Sequence, residues 1–269
     1  MRIVTWNCCH GRFEDMARRL DPFGADVTIV QECWRPAAGR TDCVWMGDDP
    51  KHGIAISVGR GWRISPVEAL PDVPRYALPA RIARVSNDFS TDGAGDLAAD
   101  GSADGLGSEA EDAFVLGVWT LDDRPHRYVK AAIRAVEMYA DEIRARPTII
   151  AGDFNSNAIW NRKRDDSRDH KYLVRMLAEL GLVSAYHAFR GEEHGGETTP
   201  TFHMYKRESE PFHLDYCFVP AGWTVANVAV GAYADWARDS DHRPLVVDVH
   251  APTVADVDER RPDEALAVG

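Results

Sequence analysis

The chain contains no run of the roughly 18 consecutive apolar residues that a membrane-spanning helix needs. Its amino-terminal end also lacks the apolar stretch and small-residue cleavage site of a secretory leader, because Met1-Arg2-Ile3-Val4-Thr5-Trp6-Asn7 enters a strand-like pattern at once. Together these absences predict a soluble, cytoplasmic protein. Cysteine is scarce. Cys8, Cys9, Cys33, Cys43 and Cys217 are odd in number and form no CxxC pair, which argues against a disulfide framework and against a structural zinc knot of thiolates. They read as small buried strand residues, although Cys8 and Cys9 follow Asn7 and Cys33 follows Glu32. No Gly-rich phosphate loop, dinucleotide fingerprint or internal repeat occurs.

Positive charge is also in short supply, at a net charge of -12. The deficit is local, however. Residues 86–112 carry eight acidic side chains and no Lys or Arg, and residues 251–269 add a further net -3, so the body of the chain is close to neutral. The acidity therefore does not exclude a phosphate-bearing partner. Segment 86–112 is made of Gly, Ala, Ser and Asp with few large apolar residues, too few to offset the entropy of ordering, and is expected to be a disordered insertion. The predicted organisation is one domain over 1–251 carrying that insertion, followed by a loose acidic tail over 252–269.

Strands are predicted at 3–7, 27–31, 54–58, 76–85, 114–120, 148–151, 214–219, 225–230 and 245–249. The runs 76–85 and 114–120 flank the insertion and are expected to pair as hairpin neighbours. Apolar residues recur with helical spacing at Phe13, Met16, Ala17 and Leu20, at Val129, Ala132, Ile133 and Val136, and at Leu173, Met176, Leu177 and Leu180. Nine strands with three helices imply two stacked sheets flanked by helices.

Four polar clusters stand at the ends of apolar runs: Trp6-Asn7, Gln31-Glu32, Gly152-Asp153-Phe154-Asn155 and Ser240-Asp241-His242-Arg243-Pro244. Asp153 and Asn155 are two apart, and in extended geometry they would face one site, although an Asx turn after a strand would look the same. Glu32 closes a central strand, where a carboxylate needs a cation or donor, and a hard oxygen ligand suits Mg2+ or Mn2+. Asn7 could order that carboxylate or touch the metal. His213 and Asp215 are predicted to share a strand face, with Asp215 placed to hold an imidazole such as that of His242. The basic loop from Trp160 through Arg162 to His170 could grip a phosphate backbone and offer a stacking ring, or be a solvated loop.

These four ordered motifs resemble those of the endonuclease/exonuclease/phosphatase superfamily, the group similar to DNase I, abasic-site nucleases, sphingomyelinases and inositol-polyphosphate phosphatases. The resemblance runs from Asn7 to His242. It implies an α/β fold, a four-layer sandwich of two mixed β-sheets packed face to face with flanking helices. It also implies in-line attack of water on phosphorus, with Asp153 activating the water, Asn155 donating to a phosphoryl oxygen and Glu32, helped by Asn7, holding Mg2+. His242, oriented by Asp215, would bind phosphate or protonate the leaving group, with Asp241 near it or on a second metal. Two positions depart from the pattern: Cys9 stands where many members carry an acidic ligand, and Trp119-Thr120 where many carry a His or Tyr. His213 or His170 could replace the latter. The expected partner is a phosphoester substrate, with DNA or RNA ahead of phosphomonoesters and lipid headgroups, and a catalytically degenerate binding scaffold as a third possibility. No protein partner is legible.

Overall fold

A computed structural model describes residues 1–85, 112–161 and 168–252. The expected disordered insertion, apart from Asp112, the tail beyond residue 252 and the candidate Arg162 lie outside the described residues. In chain order the elements are β1 (Arg2–Asn7), α1 (Phe13–Leu20), β2 (Val27–Cys33), β3 (Cys43–Asp49), β4 (His52–Val58), β5 (Trp62–Pro66), β6 (Ala77–Arg84) and β7 (Asp112–Trp119). They continue with α2 (Val129–Met138), α3 (Ala140–Ala145), β8 (Thr148–Asp153), α4 (His170–Glu179), β9 (Leu182–Ser184), α5 (Ala185–Arg190), β10 (Phe202–His203) and β11 (Pro211–Phe212). The last are β12 (Asp215–Pro220), β13 (Thr224–Val230), α6 (Tyr233–Trp236) and β14 (Leu245–His250).

Twelve strands form two six-stranded mixed sheets, ordered β13-β14-β1-β2-β4-β3 and β5-β6-β7-β8-β12-β9, while β10 and β11 make a small separate hairpin. The parallel neighbours are β1 with β2 and β7 with β8, and the other ladders in the two sheets are antiparallel. All nine predicted strands are present, and β6 pairs with β7 as expected. β3, β5, β9, β10 and β11 were not expected, nor were α3, α5 and α6.

Side chains alternate along each strand, so each sheet can bury both faces. Ile3, Ile29, Ile54 and Ile56 of the first sheet meet Ile82, Val115, Ile149 and Val219 of the second in the central core. The opposite faces are covered by helices. Val4, Trp6 and Val30 pack with Phe13 and Leu20 of α1, and Phe114, Leu116 and Ile150 pack with Ile133 and Val136 of α2 and Leu173 and Leu177 of α4. Helix, sheet, sheet, helix is thus the four-layer sandwich. Each fully buried aliphatic side chain contributes about 1.5–3 kcal/mol, which fixes the two sheets against each other and makes their common edge a rigid platform. Among the described residues, no helix is long and apolar enough to cross a membrane.

Candidate active site

Polar clusters from both sheets converge at that edge. Parallel β1 and β2 bring Asn7 opposite Gln31, and a bulge between Gln31 and Cys33 places Glu32 in a left-handed backbone at φ 56. A bulge of this kind re-aims one side chain out of the ladder. Glu32 Oε1 accepts a hydrogen bond of 3.0 Å from Asn7 Nδ2, and its Oε2 lies 3.2 Å from Nε2 of His10. The second amide hydrogen of Asn7 goes across the sandwich to Asp153 Oδ2 at 3.0 Å. One amide therefore ties the carboxylates of the two sheets together.

Asp153 ends β8, directly opposite Asp215 in antiparallel register. Both are fully buried. His242 completes the cluster, with Nδ1 2.8 Å from Asp215 Oδ2 and Nε2 3.7 Å from Asp153 Oδ2. Burial pushes the Asp153 carboxyl up, against the opposing pull of His242, and the facing Asp215 pushes it further. Burial alone would discharge His242, but the carboxylates of Asp215 and Asp153 outweigh it and raise its pKa, so the imidazolium is favoured.

The loop carrying His242 is built to be stiff. Ser240 Oγ donates to the Asn7 carbonyl at 2.7 Å and accepts from the His242 amide at 2.9 Å. The buried guanidinium of Arg243 donates to the carbonyls of Ser240 and His242 and stacks over Tyr233. Trp6 Nε1 also donates to the His242 carbonyl. Asp241 lies against Cys9, where burial first and then this carboxylate raise the thiol pKa. An acidic group thus stands beside the position where the sequence has Cys9.

Asn155 reaches Asp153 differently from the expected strand alternation. β8 stops at Asp153, and Asn155 has φ 43, so the two meet through an Asx turn in which Asn155 N donates to Asp153 Oδ1 at 2.9 Å. Asn155 Nδ2 donates to Asp153 Oδ2 at 3.0 Å and to the Thr120 carbonyl at 2.9 Å. With both amide hydrogens engaged, Asn155 positions Asp153, and contact with a phosphoryl oxygen requires one of these bonds to open. Thr120 was met in the sequence only as a departure. Here it holds Asn155, and its Oγ1 donates to the Phe154 carbonyl.

His213 and His170 lie elsewhere. His213 precedes β12, so strand alternation with Asp215 does not extend to it; its Nδ1 is 2.8 Å from the Thr199 carbonyl and its ring packs on Tyr186 and Tyr216. His170, at the start of α4, bonds Ser156 and His194. Burial lowers the pKa of both. Trp160 is 51% exposed and faces Phe212 at 5.5 Å between centroids. Residues that the sequence did not single out also contribute: His10 at Glu32, and His52 and Tyr76, which with Trp119 make an aromatic wall beside it. No spacing rule marks them, since each reaches the site from a different strand end.

Thr201 is the least visible support. Its Oγ1 accepts from the backbone amides of both Leu214 and Asp215 at 3.0 Å. Thr201→Val keeps the shape and removes the acceptor, leaving two buried donors unpaired. A loss of about 2–4 kcal/mol is expected, with a fall in any turnover that depends on Asp215, and urea denaturation with paired kinetics would check it.

The donor set fits a hard divalent cation. It offers carboxylates from Glu32, Asp153 and Asp215, and Asp215 Oδ1 is buried without a partner. Asp153, Asp215 and His242 each present a ligand atom within 4.8 Å of the others. Carboxylate oxygens of this kind suit Mg2+ or Mn2+ better than a soft metal.

Residues 4–242 match the model of the Endonuclease/Exonuclease/phosphatase family. Among solved structures the chain is similar to a 3′ phosphatase, NExo, from Neisseria bound to product DNA hairpin, at 19% identity and TM-score 0.60 over 93% of this chain and 99% of that one. It is similar to NExo from Neisseria meningitidis described as a 3′-5′ exonuclease, at 18% identity and TM-score 0.56 over 92% and 99%. The human Nocturnin catalytic domain with bound sulfate anion shares 13% identity and TM-score 0.55 over 93% of each chain. No curated protein matches the sequence.

Proposed function

The chain belongs to the endonuclease/exonuclease/phosphatase family, and from that membership we propose that it is a divalent-metal-dependent phosphodiesterase, a nuclease acting on DNA or RNA. The observation that carries the chemistry is the buried Asp153-His242-Asp215 cluster with Nε2 of His242 turned toward Asp153. Asp153 orients the attacking water and takes its proton. Asn7 and Asn155 hold that carboxylate in place, three hydrogen bonds in all. His242, charged and kept in one orientation by Asp215, donates from Nε2 to the phosphate or to the leaving oxygen. Glu32, with Asn7 fixing its carboxylate and Asp241 nearby, would hold Mg2+, or Mn2+ in its place, which when bound supplies several kcal/mol of charge stabilisation at a phosphoryl oxygen.

Support for a nucleic-acid substrate comes from the rim. From the catalytic imidazole outward, His242, Phe202, Phe212 and Trp160 follow one another with centroid separations of 4.7, 6.3 and 5.5 Å. A ledge of rings ending in an exposed Trp160 is suited to stacking successive bases while a phosphate sits at His242, and such stacking is worth about 1–3 kcal/mol per base. The similar NExo is bound to a DNA hairpin. Its two descriptions, phosphatase and exonuclease, also keep phosphomonoesters in view.

The test is hydrolysis of single-strand and duplex oligonucleotides, phosphomonoesters and lipid-headgroup diesters by the full chain, before and after EDTA and after adding back Mg2+ or Mn2+. We expect oligonucleotide cleavage that stops on chelation and returns with metal. Phosphate release from monoesters alone would make it a phosphatase, headgroup release alone a lipid phosphodiesterase, and oligonucleotide binding without any metal-dependent hydrolysis a non-catalytic scaffold.

A further inference from the structure

Four of the ten histidines gather away from the hydrolytic cluster, around one carboxylate. His187 lies on α5, His194 and Glu197 on the loop that follows, His170 at the start of α4 and His213 before β12. We propose that His187, His194 and Glu197 form a second metal site, built for a transition-metal ion of which Zn2+ is the best match.

The three residues each present a ligand atom within 4.8 Å of the others. His187 Nε2 and Glu197 Oε1 stand 3.1 Å apart, close to the separation of two donors on a tetrahedral ion with bonds of about 2.0–2.1 Å. Two imidazoles and one carboxylate make a borderline donor set, which suits zinc and sets this site apart from the carboxylate-rich cluster at Asp153. His194 is half-buried, while the side chains of His187 and Glu197 are 9% and 3% exposed, so an ion held there would be largely shielded from water.

The atoms turned away from that point are already held, as ligands of a metal need to be. His187 Nδ1 is 2.8 Å from Ser184 Oγ. Glu197 Oε2 accepts from Asn157 Nδ2 at 3.1 Å and from the Gly195 amide at 3.0 Å, which leaves Oε1 toward His187. His194 Nδ1 is 3.1 Å from His170 Nε2, and His170 Nδ1 is 3.1 Å from Ser156 Oγ.

Two further observations favour a cation here. The Glu197 carboxylate is only 3% exposed, and among the described residues the one ion-pair partner recorded for it is His187. The rings of His187 and His194 are stacked at 3.5 Å and 18°, which brings both imidazoles to the same side of Glu197. A carboxylate buried this deeply calls for a cation beside it, and a divalent ion supplies one. Beside them, His213 Nε2 is buried with no partner.

Through Asn157, which donates to Glu197 and to the His213 carbonyl, the site is joined to the segment that carries Asp153 and Asn155. A bound ion would therefore lock the loop after α5 onto the hydrolytic segment without touching substrate. Its role is structural.

The full chain, stripped with a strong chelator and dialysed, would be titrated with Zn2+ and, separately, with Co2+ in the presence of excess Mg2+. One tight equivalent is expected in wild type and in Asp153→Ala, with visible d–d bands for Co2+ and a higher Tm. His194→Ala and Glu197→Gln should weaken that equivalent on the order of 100-fold or more and lose the Tm response. Wild type that binds no Zn2+, or His194→Ala that binds it as wild type does, would overturn the proposal. So would an equivalent lost in Asp153→Ala, which would move the ion to the hydrolytic cluster. If the histidine variants fail to fold, the wild-type and Asp153→Ala titrations still decide.

Discussion

Asp153→Asn is expected to lower kcat on the working phosphoester by roughly 1000-fold or more while leaving the fold as stable as wild type, or more stable. The carboxylate is the acceptor for three hydrogen bonds, from Asn7 Nδ2, Asn155 N and Asn155 Nδ2. An amide in its place offers one acceptor oxygen and puts an NH2 group against donors. It can neither take a proton from water nor carry the negative charge that favours the His242 imidazolium. Loss of a positioned base typically removes about 100-fold to 10,000-fold of rate, and loss of one electrostatic group about 100-fold to 1000-fold. Stability does not follow. Asp153 and Asp215 face each other across a buried ladder, and the repulsion and burial penalty relieved by removing one charge offset the donors that the amide leaves unpaired and the lost attraction to His242. Steady-state kinetics with saturating Mg2+, paired with urea denaturation of both proteins, tests the claim. A variant within tenfold of wild-type kcat would show that Asp153 is not the base.

This separation of activity from stability reflects what the sequence could and could not reveal. The strands of the central core were legible because each is a short, nearly continuous apolar run, as burial on both faces requires, seen at Ile3 to Trp6 and Thr148 to Ala151. β3 and β5 were not, because they are partly exposed outer strands in which Trp, Met, Gly and Asp, or Arg and Pro, interrupt the pattern. The motifs at Asn7, Glu32, Asp153, Asn155, Asp215 and His242 were legible because each stands where an apolar run stops, and the structure brings all six to one edge. How they meet was less so. Asn155 arrives by an Asx turn, Glu32 by a bulge, and both lie in left-handed backbone that a pattern of hydrophobicity does not encode. His213 shows the limit most clearly. Counting two residues back from Asp215 put it on the same strand face as Asp215, but β12 begins only at Asp215, and two residues of irregular chain, His213 and Leu214, were enough to send the ring to the histidine cluster. That cluster had no sequence signal at all, since α4, α5 and two loops must fold before His170, His187, His194, Glu197 and His213 are neighbours.

The largest stability effect is expected at a residue without a side chain. Gly152 has φ 149, and a Cβ built on it would lie 1.8 Å from the Val118 carbonyl oxygen and 2.7 Å from its carbon. Both contacts are with backbone, in the parallel ladder where Val118 pairs with Gly152, so no rotamer change can relieve them. Gly152→Ala must therefore push β7 from β8 in the middle of the second sheet. The displacement runs straight to the site, because the next pair in the ladder is Trp119 with Asp153, and Thr120 N donates to the Asp153 carbonyl at 3.0 Å. A clash with buried backbone belongs with the most destabilising class of substitution, and a loss of about 4 kcal/mol or more is expected. For a domain of marginal stability that is a large part of the total, so the variant should be recovered mainly as insoluble protein. Gly191→Ala is the control: at φ 67 it too has left-handed backbone, but nothing lies within 4 Å of the added carbon, and the cost should stay near 1–2 kcal/mol, about the usual strain for a residue held there. Thermal and urea unfolding of the two variants would separate steric conflict from backbone preference. Equal losses at the two positions would mean that β7 can yield to the methyl group, and that the close approach of Val118 is not what holds Asp153 in place.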